Sequence, residues 1–255
     1  VTALGWVTVA GIAAIPFLGL GISLTDALFE SMSGITTTGS TILTGLDHLP
    51  PGILLWRAIL QWLGGIGIIA MAILMLPLMR VGGMQLFKIE SSDTGEKFSA
   101  SAFQMVIYLM AFYTLLTVLC ALLYFMFGMS LFDAITHAMA TVSTGGYSTH
   151  DASFGFFKSP ALHWIATLFM AAGAVPFYLY IKAARGNPGQ MFSDEQVRGF
   201  IALLVVVSLG LAGWMTWERG IDFPAALTLT AFNVTSVVTT TGFATDDYTT
   251  WGPGG

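Results

Sequence analysis

The sequence predicts an all-helical, multi-pass membrane protein assembled from repeated helix–re-entrant loop–helix units. Three observations lead there. The 255-residue chain is 55% hydrophobic and only 9% charged, whereas soluble domains carry about 25% charged residues. Five long runs are almost free of charge. A short Thr/Gly-rich motif returns three times between those runs.

The runs are Ala3–Leu24, Ile53–Met79, Met105–Gly128, Ala161–Ile181 and Gly199–Trp217. Each approaches or exceeds the ~20 residues that cross a bilayer as a helix. One such run alone would equally suit a buried helix of a soluble protein; five in one chain do not. Pro176 is expected to kink the fourth run, and the "GGIG" of Gly64–Gly67 to let helices approach closely. Cys120 sits inside a run as a small apolar side chain, so no disulfide framework exists. The chain opens on Val1 without a signal-peptide pattern and closes on "WGPGG", so a piece of a longer protein is expected.

Charge orients the spans. Residues 80–104 carry Arg80, Lys88 and Lys97, and residues 182–198 carry Lys182, Arg185 and Arg198, six of the nine basic residues. These two loops are therefore expected on the cytoplasmic side. Arg57, Lys158 and Arg219 lie near span ends. Nine of the fourteen carboxylates (Asp26, Glu30, Asp47, Asp133, Asp151, Glu218, Asp222, Asp246 and Asp247) fall in the other connections. Such an outer face either is plainly solvated or gathers cations by long-range attraction.

The motif is an internal repeat. "DALFESMSGITTTGST" from Asp26 aligns without gaps on "DAITHAMATVSTGGYS" from Asp133, and "LTAFNVTSVVTTTGFAT" aligns on both. Gly39, Gly146 and Gly242 then coincide. The third copy lacks the leading Asp. Each copy is a semi-apolar segment of about a dozen residues, too short to span and suited to a re-entrant helix, followed by a Thr/Gly stretch. Residues 1–80 form a first unit, 105–185 a second and 199–255 part of a third, with linkers over 81–104 and 186–198.

Irregular backbone at membrane depth must be buried in protein or line a watery cavity. Extended Thr-Thr-Gly backbone can aim successive carbonyls one way, and glycine permits the dihedrals this demands. Rings of carbonyls replace the hydration shell of potassium in channel filters. A preceding short helix adds about half a negative charge at its C-terminus. Both effects favour a cation. A closed, pseudo-fourfold ring needs about four such loops; the sequence supplies three, so the fourth is expected in further chain or in another subunit.

Here a resemblance becomes specific. "GITTTGST", "RAILQWLGGIGIIAMAILMLPLMRVGGMQLFKIE", "ATVSTGGYSTHDAS" and "SVVTTTGFATDDYTTWGP" resemble the Trk/Ktr/HKT superfamily of potassium transporters, and within it the TrkH/TrkG type of membrane subunit. The resemblance covers nearly the whole chain. It implies four helix–pore loop–helix repeats around one pore in the bacterial inner membrane. It also implies a homodimer gated by a cytoplasmic nucleotide-binding subunit of the TrkA type, with potassium as substrate and no cofactor in this chain. Carried over by position, Gly39, Gly146 and Gly242 are filter glycines. Thr37 and Thr38, Thr144 and Gly145, and Thr240 and Thr241 supply the filter backbone before them. The family's fourth loop, the broken helix after the third filter and two leading helices have no counterpart here. Some relatives resembling sodium transporters carry serine at the first filter glycine; glycine at all three positions favours potassium.

Other classes fit less well. A sodium- or proton-coupled symporter usually binds at the midplane between discontinuous helices. An intramembrane enzyme needs paired catalytic groups, and the spans hold only Arg57 and His163, each near an end. His48, His137, His150 and His163 show no metal-ligand spacing. His137 occupies the repeat position of Glu30, so both are expected to make polar contacts that support the short helices; Glu30 is alternatively a charge close to the filter. "HDAS" is expected at the outer mouth. "DTGEKFS" reads as a polar loop, either solvated or touching a regulatory subunit. Nothing suggests a nucleic-acid partner.

Overall fold

The structure is a computed structural model that describes residues 2–75, 95–184, 189–246 and 251. Arg80, Lys88, Arg185 and Asp247, all named above for their charge, lie outside these residues. Ten α-helices order the described chain: α1 (Thr2–Leu18), α2 (Leu24–Ile35), α3 (Pro51–Met75), α4 (Gly95–Met126), α5 (Leu131–Val142), α6 (Pro160–Ala174), α7 (Phe177–Ala184), α8 (Gly189–Ser193), α9 (Glu195–Arg219) and α10 (Phe223–Val238). Stretches of α3, α4 and α9 are long and apolar enough to cross a membrane. The repeat's re-entrant helices are α2, α5 and α10, and each follows a long or apolar helix as the repeat requires.

Helix starts are written in the sequence. Ser23 and Ser130 stand at the same repeat position and cap α2 and α5. Each hydroxyl accepts from the amide three residues on, that of Asp26 or Asp133, at 3.1 Å. Those carboxylates sit in the first turn, where the helix dipole favours negative charge. The third copy lacks this pair. Instead α10 begins at Phe223, with Pro224 in its first turn, and runs 16 residues against 12 for α2 and α5.

Two expectations need correction. The first span does not reach Leu24: α1 stops at Leu18, and a turn through Gly21, at φ +76°, leads to α2. The fourth span is not one kinked helix. Val175, at φ −71° and ψ 135°, is extended, because the residue before a proline is pushed out of the helical region. The chain therefore breaks cleanly between α6 and α7. Arg57 lies near the start of α3, as expected of a residue close to a span end, and its side chain is 1% exposed. Two boundaries also move. Helix α4 begins at Gly95, since polar residues extend a helix beyond the stretch that hydropathy marks, and α8 lies within 186–198.

Packing follows the repeat. Helix α1 holds α2 and α3 through Ser31 Oγ to Ala10 O (2.8 Å) and Trp56 Nε1 to Ala13 O (3.0 Å). The closing helix of each unit then lies on the short helix of the next, α3 on α5 and α6 on α10. Within each unit, glycine lets the closing helix approach its own short helix. A Cβ on Gly64 would collide with the carbonyl of Ile35 at the end of α2, and one on Gly173 would come within 2.8 Å of the carbonyl of Val142 at the end of α5. Ile35 and Val142 are repeat equivalents, so Gly64 and Gly173 do the same job twice. Gly65 adds a contact to the next unit, where a Cβ would lie 3.0 Å from Ser143 Cβ.

Gly64→Ala should lower the thermal stability of the detergent-solubilised protein by about 1–3 kcal/mol, as overpacking does. Gly67→Ala, three residues along α3 and facing no atom within 4 Å, should leave the melting curve in place. Equal effects of the two changes would refute the close approach of α3 to α2.

Candidate functional site

Each short helix ends in the same way. Thr36, Ser143 and Thr239 close α2, α5 and α10. The next residue, Thr37, Thr144 or Thr240, adopts positive φ, at +54°, +52° and +60°. Its amide folds back to the helix: Thr37 N to Gly34 O, Thr144 N to Thr141 O and Thr240 N to Val237 O, at 3.0–3.1 Å. The following amide goes one step further back in the first two copies, Thr38 N to Ser33 O (3.0 Å) and Gly145 N to Ala140 O (2.9 Å). This is the Schellman pattern of helix ends, usually built on glycine. A β-branched residue in that left-handed conformation is a true outlier, and it occurs here three times at one repeat position.

Two residues on, Gly39, Gly146 and Gly242 return to positive φ, at +79°, +74° and +83°. The alternation, with the amides directed back at the helix, leaves carbonyls to other partners. Among the described residues no hydrogen bond reaches the carbonyl oxygens of Thr37, Thr38 and Gly39, of Thr144 and Gly146, or of Thr240, Thr241 and Gly242. Gly145 differs, because its carbonyl accepts from Gln61 Nε2 at 2.5 Å.

The three segments touch in order. A Cβ on Gly39 would fall on the carbonyl oxygen of Gly145, and a Cβ on Gly146 on that of Thr241. Gly145 and Thr241 share one repeat position, so each segment meets its successor through the same pair of atoms. The nine residues named by position from the sequence thus come together in three adjoining extended segments. The second, flanked by the others, has Gly145 buried, whereas Thr38 and Gly242 are exposed.

Behind them stands one peg per repeat. Glu30, His137 and Asn233 occupy a single repeat position, all nearly or fully buried. Glu30 accepts from the Thr41 hydroxyl (2.8 and 2.9 Å) and the Ile42 amide (3.2 Å). Asn233 Oδ1 accepts from the equivalent amide of Thr245 (3.3 Å). His137 Nε2 meets Ser148 Oγ, the equivalent of Thr41, at 3.0 Å. The supporting contacts expected of Glu30 and His137 are therefore present. A second brace recurs in the first and third copies: Ser33 Oγ donates to Ser40 O, and Ser236 Oγ to Phe243 O, both at 2.6 Å.

Only Glu30 is charged, and Arg57 neutralises it. Arg57 Nε lies 2.8 Å from Glu30 Oε1, with both side chains buried. The same guanidinium donates to Thr41 Oγ1 (3.0 Å) and, across the unit boundary, to Ser148 O (2.9 Å). Its Cζ stands 4.0 Å from the centre of the Tyr147 ring, and the Tyr147 hydroxyl donates to Glu30 O at 3.0 Å. Sequence reading missed this role of Arg57 and all of Gln61. The signal was there: both are polar residues four apart in a run otherwise apolar, and intramembrane charge is functional by default.

Outside these segments, "HDAS" forms part of a loop contact. His150 Nδ1 is 2.5 Å from Asp47 Oδ1, its ring stacks on Phe156 at 3.5 Å, and its Nε2 lies 3.6 Å from Asp133 Oδ1. The hydrogen bond from His150 holds the Asp47 carboxyl below its usual range. Among the described residues no group of three or more His, Cys, Asp or Glu is arranged for a metal ion.

A family model described as "TrkH: Cation transport protein" matches residues 2–207. The chain belongs to the TrkH family of cation transport proteins. It is 48% identical over 98% of its length to the Trk system potassium uptake protein TrkI of Halomonas elongata, covering 51% of that protein. It is 38% identical to TrkH of Escherichia coli K12, with 98% of the chain and 53% of the relative covered. The crystal structure of the potassium transporter TrkH from Vibrio parahaemolyticus superimposes with a TM-score of 0.87 at 35% identity, over 98% of this chain and 52% of that one. This TrkH-family chain thus spans about half the length of the curated relatives it matches, and it is a multi-pass membrane protein.

Arg57→Ala would strand the Glu30 carboxylate without its counter-charge and should cost about 3–5 kcal/mol. Removing both charges, with Glu30→Gln and Arg57→Met, should restore much of that loss. Unfolding temperatures of the single and double variants in detergent check this. Additive destabilisation would show that the ion pair is not what holds the two groups.

Proposed function

We propose that this TrkH-family chain supplies three of the segments of a potassium-selective filter, and that the complete protein conducts potassium into the cell as the membrane subunit of a Trk system. The observation that carries the reading is the recurrence, at matching repeat positions, of unpartnered carbonyls on a backbone held at positive φ on alternate residues. Unpaired carbonyls at membrane depth are costly unless something accepts their lone pairs. A dehydrated cation does so, and rings of carbonyls are the usual means of selecting potassium. The strain at Thr37, Thr144 and Thr240, of order 1–3 kcal/mol each, fits a backbone bent for ligand contact.

Thr37, Thr38, Gly39, Thr144, Gly146, Thr240, Thr241 and Gly242 would offer carbonyls to the ion; Gly145 would offer one already shared with Gln61. A fourth segment closes the ring beside Thr38 and Gly242. The driving force is the membrane potential, worth about 2.3 kcal/mol per charge per 100 mV, or roughly 50-fold accumulation at equilibrium. The names of the relatives support potassium as the ion, and the bacterial inner membrane is the proposed site. A cytoplasmic TrkA-type regulatory subunit and a homodimer complete the proposed assembly.

Gly39→Ser tests the reading in the full-length protein. Its side chain would enter left-handed backbone beside the Gly145 carbonyl, so potassium-over-sodium discrimination should fall. Reversal potentials in mixed cation gradients measure it. Unchanged selectivity in a variant that reaches the membrane at normal levels removes Gly39 from the filter.

A further inference from the structure

The second repeat breaks the pattern of the other two in one place. Where they read Thr38-Gly39 and Thr241-Gly242, it reads Gly145-Gly146. In the first repeat the Thr38 hydroxyl is braced within its own segment, Oγ1 to Thr36 Oγ1 at 2.7 Å. The third repeat repeats the bond between Thr239 and Thr241 at 2.7 Å. Gly145 has no side chain to make it, although its φ is not in the left-handed region and would accept one.

The space is already filled. A Cβ on Gly145 would overlap the carboxamide of Gln61. That side chain comes from α3, in the first repeat, and is fully buried. Its Nε2 donates to Gly145 O at 2.5 Å and its Oε1 accepts from Tyr147 N at 3.0 Å. It therefore brackets Gly146 from one side of the segment, between the carbonyl before it and the amide after it. The helix partner for a hydroxyl remains: Ser143, equivalent to Thr36 and Thr239, has its Oγ on Ala140 O at a long 3.3 Å.

We propose that Gln61 is a specificity-determining positioning residue that replaces the missing threonine side chain of the second segment. The brace that the first and third segments make internally is supplied to the second by the neighbouring repeat. Gln61 and Gly145 are then one unit, each requiring the other. Gly145 is glycine because Gln61 occupies its side-chain space, and Gln61 is needed because Gly145 has no hydroxyl. The consequence is electronic as well as steric. The Gly145 carbonyl is shared with an amide donor, so its layer presents one weaker ligand beside the free carbonyls of Thr38 and Thr241. This inference rests on the filter reading above.

The test is a compensation cycle in the full-length transporter, read as rubidium uptake and its inhibition by sodium in proteoliposomes. Gln61→Ala should reduce selectivity roughly three- to tenfold, the equivalent of one or two lost hydrogen bonds. Isosteric Gln61→Glu should do the same, since a carboxylate cannot donate to Gly145 O. Gly145→Thr alone should abolish most uptake by collision with Gln61. Gln61→Ala combined with Gly145→Thr should recover uptake and selectivity, because the new hydroxyl reaches Ser143. A double variant no more selective than Gln61→Ala and no more active than Gly145→Thr overturns the proposal. So does wild-type selectivity in both Gln61 variants. If a single variant fails to reach the membrane, recovery of membrane expression in the double variant decides, and its absence counts against the proposal. Gly39→Ser run alongside separates the two readings. Altered selectivity there with none at Gln61 sinks only the Gln61 role, while no response at either position sinks the filter reading itself.

Discussion

Where the amides of the three Thr/Gly segments go determines nearly everything else in this molecule. Backbone that leaves helical geometry at membrane depth must find partners inside the protein. Here the first amides after each short helix turn back onto that helix's own last carbonyls. Satisfying the donors this way forces positive φ on a threonine and then on a glycine. It also sends the carbonyls away from the helix. The helix must therefore stop short, with its negative end at the segment, and a neighbouring long helix must come close enough to seal the turn. Gly64 and Gly173 meet that last requirement at equivalent carbonyls.

The same geometry needs support from behind, and three different chemistries give it. Glutamate, histidine and asparagine stand at one repeat position and each fastens the chain just beyond the glycine. Histidine and asparagine can be neutral, so they enter the buried space without a counter-charge. Glutamate cannot enter cheaply, since an unpaired buried charge costs several kcal/mol. Arg57 accompanies it alone. By the register that pairs Gly64 with Gly173, Arg57 and Gln61 correspond to Ala166 and Met170 in α6, both buried and apolar. The charge in α3 is explained by the peg it neutralises.

Much of this was legible in the residues. Hydropathy located the long helices, because a bilayer demands apolar length. The gapless register of Asp26 with Asp133 located the short helices and the glycines, because those depend on local chemistry. Hydropathy misjudged ends. It ran the first span through Gly19 and Gly21 to Leu24, because turn residues of low polarity do not interrupt an apolar run. It carried the fourth through Val175, where the proline's effect on its predecessor is a backbone matter. It placed Arg57 near a span end without showing what the guanidinium would touch. Only tertiary packing puts that guanidinium between Glu30 and Ser148, 27 and 91 residues away.

Covalent linkage of the repeats makes such local solutions possible. In a ring of identical subunits each junction must be the same, so a change that suits one junction is imposed on all. Here the junction between the first and second segments is polar and dense, with Arg57, Gln61 and Tyr147 crossing it. The junction between the second and third relies instead on backbone and loop contacts, Gly155 N to Ala244 O (2.9 Å) and Ala244 N to Ser153 Oγ (3.3 Å). Both keep the same glycine-to-carbonyl contact at the centre. The geometry of the three segments is thus repeated while the means of holding it differ. Symmetry is kept in their backbone dihedrals and in the glycine-to-carbonyl contacts and relaxed in the side chains behind them.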